Sequence, residues 1–185
     1  MYSKVKSMGH PVHLMLVNFP LGLLVTAVVF DIIHLITGNG YWSGIAFWMI
    51  AAGGATGLLA AMTGLIDWTG IPTDTRARRI GVMHGVGNAT VLVLFIASWL
   101  LRLHAPEHPS LLAYILSFLG AGLLFATGWL GGELTGRYGV GIEEGANVDA
   151  PYVIPGLTTN SGTTPARESS VVSDQAIVKS TSMHR

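Results

Sequence analysis

Four stretches of this chain, at about residues 12–36, 42–66, 80–103 and 110–133, are apolar over a length close to what a helix needs to cross a bilayer core, roughly 20 residues. Inside hydrocarbon a segment must satisfy its backbone polar groups by itself, and a helix does so. The first stretch has no charged residue from Leu14 to Phe30. Thr37-Gly38-Asn39-Gly40 between the first two is a turn made of helix breakers. The connections at 67–79 and 102–109 are too polar for hydrocarbon. Short loops join antiparallel neighbours, so the expected fold is all-α: an integral membrane four-helix bundle, up-down-up-down, over residues 1–142.

Composition agrees, since 50% of the residues are hydrophobic, 11% are charged and the mean hydropathy is +0.54, too apolar for a soluble domain of this size. A formal net charge of zero, with the few basic residues beside spans, argues against nucleic acid as a partner. The absence of cysteine excludes disulfides, thiolate metal sites and cysteine nucleophiles. Lys4 and Lys6 precede an apolar run as in a signal peptide, but the run is too long and has no small-x-small cleavage site, so it reads as a retained span. Residues 143–185 change to Gly, Pro, Ser, Thr and Asn without periodicity and read as a disordered tail, in which Tyr152-Val153-Ile154 is the apolar cluster suited to docking on the bundle.

Basic residues orient the spans. Lys4, Lys6, Arg76, Arg78, Arg79 and Arg137 gather at one edge and Arg102 alone at the other, which predicts cytoplasmic termini. Trp68, Trp129 and Tyr138 at the first edge, with Tyr41, Trp42 and Trp99 at the second, read as aromatic belts. In the second span Gly53, Gly57 and Ala61, with Ala60 and Gly64 offset, recur at a spacing of four, as do Gly128 and Gly132 in the fourth, with Gly122 and Ala126 behind them. Small residues at this spacing predict close helix packing.

Ionisable groups at membrane depth are costly unless they face an interior or the headgroups, and so mark candidate sites. Folding the spans up and down brings His10, His13, Asn18, Asp67, His84, Asn88, Glu133 and Arg137 to the amino-terminal edge. His13 and His84 are suited to ligate an iron porphyrin from opposite sides, because neutral imidazole is a common axial ligand. Asn18 and Asn88 would then line that cofactor site. Alternatively His13, Asp67, His84 and Glu133 would hold a divalent metal ion through mixed nitrogen and oxygen ligands. In either case Asp67 and Glu133 are expected to orient the imidazoles. The plainer alternative is that these groups cap helices and pair with each other. At the opposite edge Asp31 lies about a turn inside its span and Arg102 is the one cation at similar depth, which predicts an intramembrane ion pair. His34 also lies at this edge, while His104, Glu107 and His108 fall in the loop.

His10-Pro11-x-His13 with Val17-Asn18-Phe19-Pro20, Thr63-Gly64-Leu65-Ile66-Asp67-Trp68, His84 with Asn88, and Gly128-Trp129-Leu130-Gly131-Gly132-Glu133-Leu134 before Tyr138-Gly139-Val140-Gly141-Ile142 together resemble the bacterial membrane domain of unknown function 2231 (DUF2231). The resemblance covers residues 9 to about 142 and implies four spans with no established activity. Related domains stand beside Rieske-type iron–sulfur or cytochrome domains, which implies redox work in the bacterial inner membrane. The family often has histidine where this chain has Asn18, leaving this member one imidazole short.

The leading expectation is a small redox-associated or cofactor-binding membrane subunit, not an enzyme on its own, with haem b or a divalent metal as the group to seek. Its partners would be membrane lipid, a Rieske-type or cytochrome protein and, as a homo-oligomer, a second copy of the chain. A proton- or ion-conducting protein relaying through Asp31, Asp67 and Glu133 is the alternative, although four short spans supply neither inverted repeats nor broken helices. A structural subunit of a membrane complex is the third reading. Hydrolase chemistry is disfavoured by the absence of a G-x-S-x-G motif.

Overall fold

The structure, a computed structural model, describes residues 3–7 and 10–142. The sequence reading of residues 143–185 lies outside them. A short antiparallel ribbon of β1 (Lys6–Ser7) and β2 (His10–Pro11) leads into α1 (Val12–Leu16) and α2 (Asn18–Thr37), followed by α3 (Gly40–Trp68), α4 (Arg76–Arg102) and α5 (Leu111–Gly136). Four helical stretches, Val12–Thr37, Gly40–Trp68, Arg76–Arg102 and Leu111–Gly136, are long and apolar enough to cross a membrane. Together they form an all-α four-helix bundle.

Local chemistry sets the ends. The Asn39 side chain accepts from Tyr41 N–H, Thr75 from Arg78 N–H and Ser110 from Ala113 N–H, each satisfying a donor that a helix start leaves over. Gly38 takes φ 68° after α2 and donates its N–H to His34 O, the left-handed stop that glycine adopts without strain. The first span, expected as one helix, breaks at Val17. Pro20 has no N–H for the Leu16 carbonyl, and the ladder continues around the gap through Val17 N–H to His13 O and Leu21 N–H to Val17 O.

The core is narrow, formed by Leu24, Ala27, Ala46, Ile50, Val91, Phe95, Ala121 and Leu124. Large apolar side chains such as Trp48, Leu65, Val93 and Phe125 point outward, as they do where lipid and not water is the solvent.

The two hairpins, α1/α2 with α3 and α4 with α5, repeat one plan. A shift of 71 residues carries His13 to His84, Leu24 to Phe95, Ala27 to Ser98 and Asp31 to Arg102. A shift of 67 carries Ala46 to Ala113, Gly53 to Gly120, Ala60 to Thr127 and Gly64 to Gly131. The contacts repeat as well. A Cβ at Gly53 would lie 2.7 Å from Leu24, and one at Gly120 would lie 2.9 Å from Phe95. Both hairpins start at the same edge, so they are parallel repeats about an axis along the membrane normal, not inverted ones.

Candidate functional site

His13 stands on α1 and His84 on α4, each turned toward the second helix of its own hairpin. The Nδ1 of His13 is 2.9 Å from the Ala60 carbonyl and that of His84 is 2.9 Å from the Thr127 carbonyl, repeat-equivalent positions. A carbonyl only accepts, so each neutral ring carries its proton on Nδ1 and its lone pair on Nε2. Each ring rests on a helical glycine: a Cβ at Gly64 would lie 2.7 Å from His13 Cε1, and one at Gly131 would lie 2.9 Å from His84 Cε1.

Asn88 frames His84. Its Nδ2 donates to the His84 carbonyl at 2.9 Å and lies 3.3 and 3.2 Å from the two ring nitrogens. A point nearly equidistant from both nitrogens at that range lies over the ring face, because in the ring plane it would collide with ring carbons. The in-plane lone pair of Nε2 is therefore not engaged by Asn88. Thr127 Oγ1 donates to Asn88 Oδ1 at 3.1 Å, locking the amide. Among the described residues no hydrogen bond reaches His13 Nε2. Asn18 lies farther along the first span with its side chain exposed, donating at 3.3 Å to Leu14 O.

The carboxylates act elsewhere. Asp67 accepts from Ser3 Oγ at 2.9 Å and from the backbone N–H groups of Lys4 at 2.7 Å and Val5 at 3.2 Å, so it ties down the segment that precedes β1. Glu133, partly buried, pairs with the exposed Arg137 one turn on, at 3.2 Å. The orienting role expected of Asp67 and Glu133 is thus taken by backbone carbonyls of α3 and α5, partners that residue type cannot reveal. Among the described residues no three His, Asp or Glu side chains converge as a metal would require.

At the other end Arg102 and Asp31 meet fully buried, with Nη1 to Oδ1 and Nη2 to Oδ2 both 2.7 Å. Ser98 Oγ accepts from Nε at 3.3 Å, Ser117 Oγ donates to Asp31 Oδ2 at 3.2 Å, and the Tyr114 ring lies 5.2 Å from the guanidinium carbon. This bidentate geometry satisfies both charges. Because Asp31 and Arg102 are repeat equivalents in contact, the axis between the hairpins passes between them. His34 bonds to Asn39 O at 2.9 Å and stacks on Tyr114. His104 and His108 are exposed in the loop.

The seats Gly64 and Gly131 and the carbonyls of Ala60 and Thr127 were not singled out as site residues from sequence. The paired shifts of 71 and 67 are the signal that would have found them. Gly122, Gly128 and Gly132 correct the packing expectation, since a Cβ built on any of them meets nothing within 4 Å among the described residues.

Residues 9–144 match the family described as "Predicted membrane protein (DUF2231)". No curated protein and no solved structure matches the chain.

Proposed function

We propose, on the premise that this chain belongs to the DUF2231 family of predicted membrane proteins, that it is a small redox subunit binding b-type haem between His13 and His84. One observation carries the reading: two imidazoles, equivalent in the internal repeat, each donate Nδ1–H to a helix carbonyl at 2.9 Å and keep the Nε2 lone pair for a ligand. The arrangement has the form of a metal-ligating histidine, whose second nitrogen is fixed by a hydrogen bond that sets tautomer and ring direction. Held by His13 and His84, such a group would supply one-electron transfer, its potential set by the residues that hold it. The chain's own part is to hold both rings against Gly64 and Gly131 and to lock Asn88 through Thr127.

The donor set favours a haem that His13 and His84 would hold over a bare divalent ion, because Asp67 and Glu133 are committed to other partners. A proton relay has less support, since the carboxylate of Asp31 is held by Arg102. In this reading the protein lies in the plasma membrane with both termini cytoplasmic and exchanges electrons with a Rieske-type or cytochrome partner.

The test is the visible spectrum and the pyridine haemochrome assay on protein purified in mild detergent from haem-replete cells. His13→Ala and His84→Ala are each expected to abolish the bound haem, while His104→Ala and His108→Ala leave it intact. A parent protein without haem overturns the reading.

A further inference from the structure

The repeat that makes the histidines equivalent also pairs two seams between the hairpins. It carries α2 to α4 and α3 to α5, so the α3–α4 seam and the α5–α2 seam correspond, yet they are built differently. At the α3–α4 seam Gly57 receives Leu92: a Cβ there would come within 2.6 Å of a Leu92 methyl. The equivalent of Gly57 is Leu124, and the equivalent of Leu92 is Leu21. Leucine thus replaces glycine opposite leucine, and α2 packs less closely on α5 than α3 does on α4. A groove of about 630 Å³ opens at this seam, with both leucines in its wall.

The groove is hollowed by its sequence. Gly22 and Gly128 line it, and a Cβ on either meets nothing within 4 Å among the described residues, so neither glycine serves a helix contact. Their repeat equivalents are Val93 and Ala61, which carry side chains. Asn18 and Thr26 add polar groups to an otherwise apolar lining, and Phe125 and Trp129 add aromatic faces. Gly128 adjoins Thr127, whose carbonyl takes His84, and Asn18 lies five residues beyond His13, so groove and imidazoles occupy neighbouring depths. Each histidine sits within its own hairpin, so the plane separating the two imidazoles is the plane between hairpins. That plane has two edges, the closed α3–α4 seam and the open α2–α5 seam.

We infer that the α2–α5 groove receives the edge of a flat aromatic macrocycle of the porphyrin class, lying between the hairpins and entering from the lipid side. This rests on the haem reading above and adds where the ring lies and what selects it. A ring lying between the hairpins must leave the bundle at a seam, and among the described residues the α2–α5 seam offers space walled by glycine. Gly22 and Gly128 are its positioning residues.

Ferric protoporphyrin IX titrated into the detergent-solubilised full chain, followed by absorption, tests this in Gly22→Leu, Gly128→Leu and the double variant. Gly122→Leu is the control, since it is equally unobstructed but does not line the groove. Helix content and elution volume should stay at parental values, because the added side chains meet no protein atom at their base. The double variant is expected to bind haem at least about tenfold more weakly than the parent, and the control to bind normally. If the parent binds haem, the histidine variants lose it and the double variant keeps parental affinity, the groove inference fails while the haem reading stands. A parent that binds none overturns both. Loss of a copurifying phospholipid from the double variant, measured by native mass spectrometry with haem retained, assigns the groove to lipid and overturns the inference.

Discussion

A single hydrogen atom in place of a methyl group decides where each imidazole can stand. At Gly64 and Gly131 any Cβ would fall within 3 Å of a histidine ring, so the ring reaches the carbonyl one turn back only because the position is bare. The same residue type acts otherwise at Gly22 and Gly128, where it leaves space. Residue identity cannot separate these roles, because each depends on what the opposing helix presents. Asp31 and Arg102 were legible in sequence for the opposite reason: a charge in hydrocarbon needs a partner of opposite sign, and only one pair shares that depth. Arg102→Leu leaves the Asp31 carboxylate buried without compensation, and Asp31→Leu does the same to the guanidinium. Each single change is expected to cost about 3–5 kcal/mol, whereas the double change to Leu and Met recovers most of it. Unfolding in mixed micelles measures both, and equal losses in single and double variants would refute the pairing argument.

Elements are tied together here by their ends as much as by their faces. The segment before β1 is bound to the end of α3 through Asp67, which collects donors from Ser3, Lys4 and Val5, while Val12 N–H bonds to Val5 O at 3.0 Å. Hydrogen bonds to a charged acceptor are each worth about 1.5–3 kcal/mol. Asp67→Ala should therefore speed hydrogen exchange at the Lys4 and Val5 amides by about ten- to a hundredfold and leave the interiors of α3 and α4 unchanged. Uniform acceleration through the helices would show instead that Asp67 supports the whole bundle. The break at Val17 follows from Pro20, which has no N–H to give the Leu16 carbonyl. Pro20 lies 3.5 Å from where a Gly57 Cβ would stand, so the chain just after the break packs on α3.

For the whole molecule, the structure sharpens the charge asymmetry on which orientation rests. Arg102, the one basic residue assigned to the far edge, is fully buried in an ion pair, so the excess of Lys and Arg at the amino-terminal edge has no competitor there. Reporters fused after Arg185 and in the 103–109 loop are expected on opposite sides of the membrane, the first in the cytoplasm; a carboxy-terminal reporter outside the cytoplasm would overturn the assignment. By itself the sequence determined the four spans, their alternation, their polar edges and the one buried charge pair, since hydrophobic length and charge pairing are additive properties that a bilayer reads segment by segment. Tertiary structure alone decided that His13 and His84 are equivalents seated on glycine, that backbone carbonyls and not Asp67 or Glu133 orient them, and that one of two matching seams stands open. Those features depend on which atoms from two helices, 47 to 71 residues apart, share a few ångströms, and no property of either helix alone specifies that.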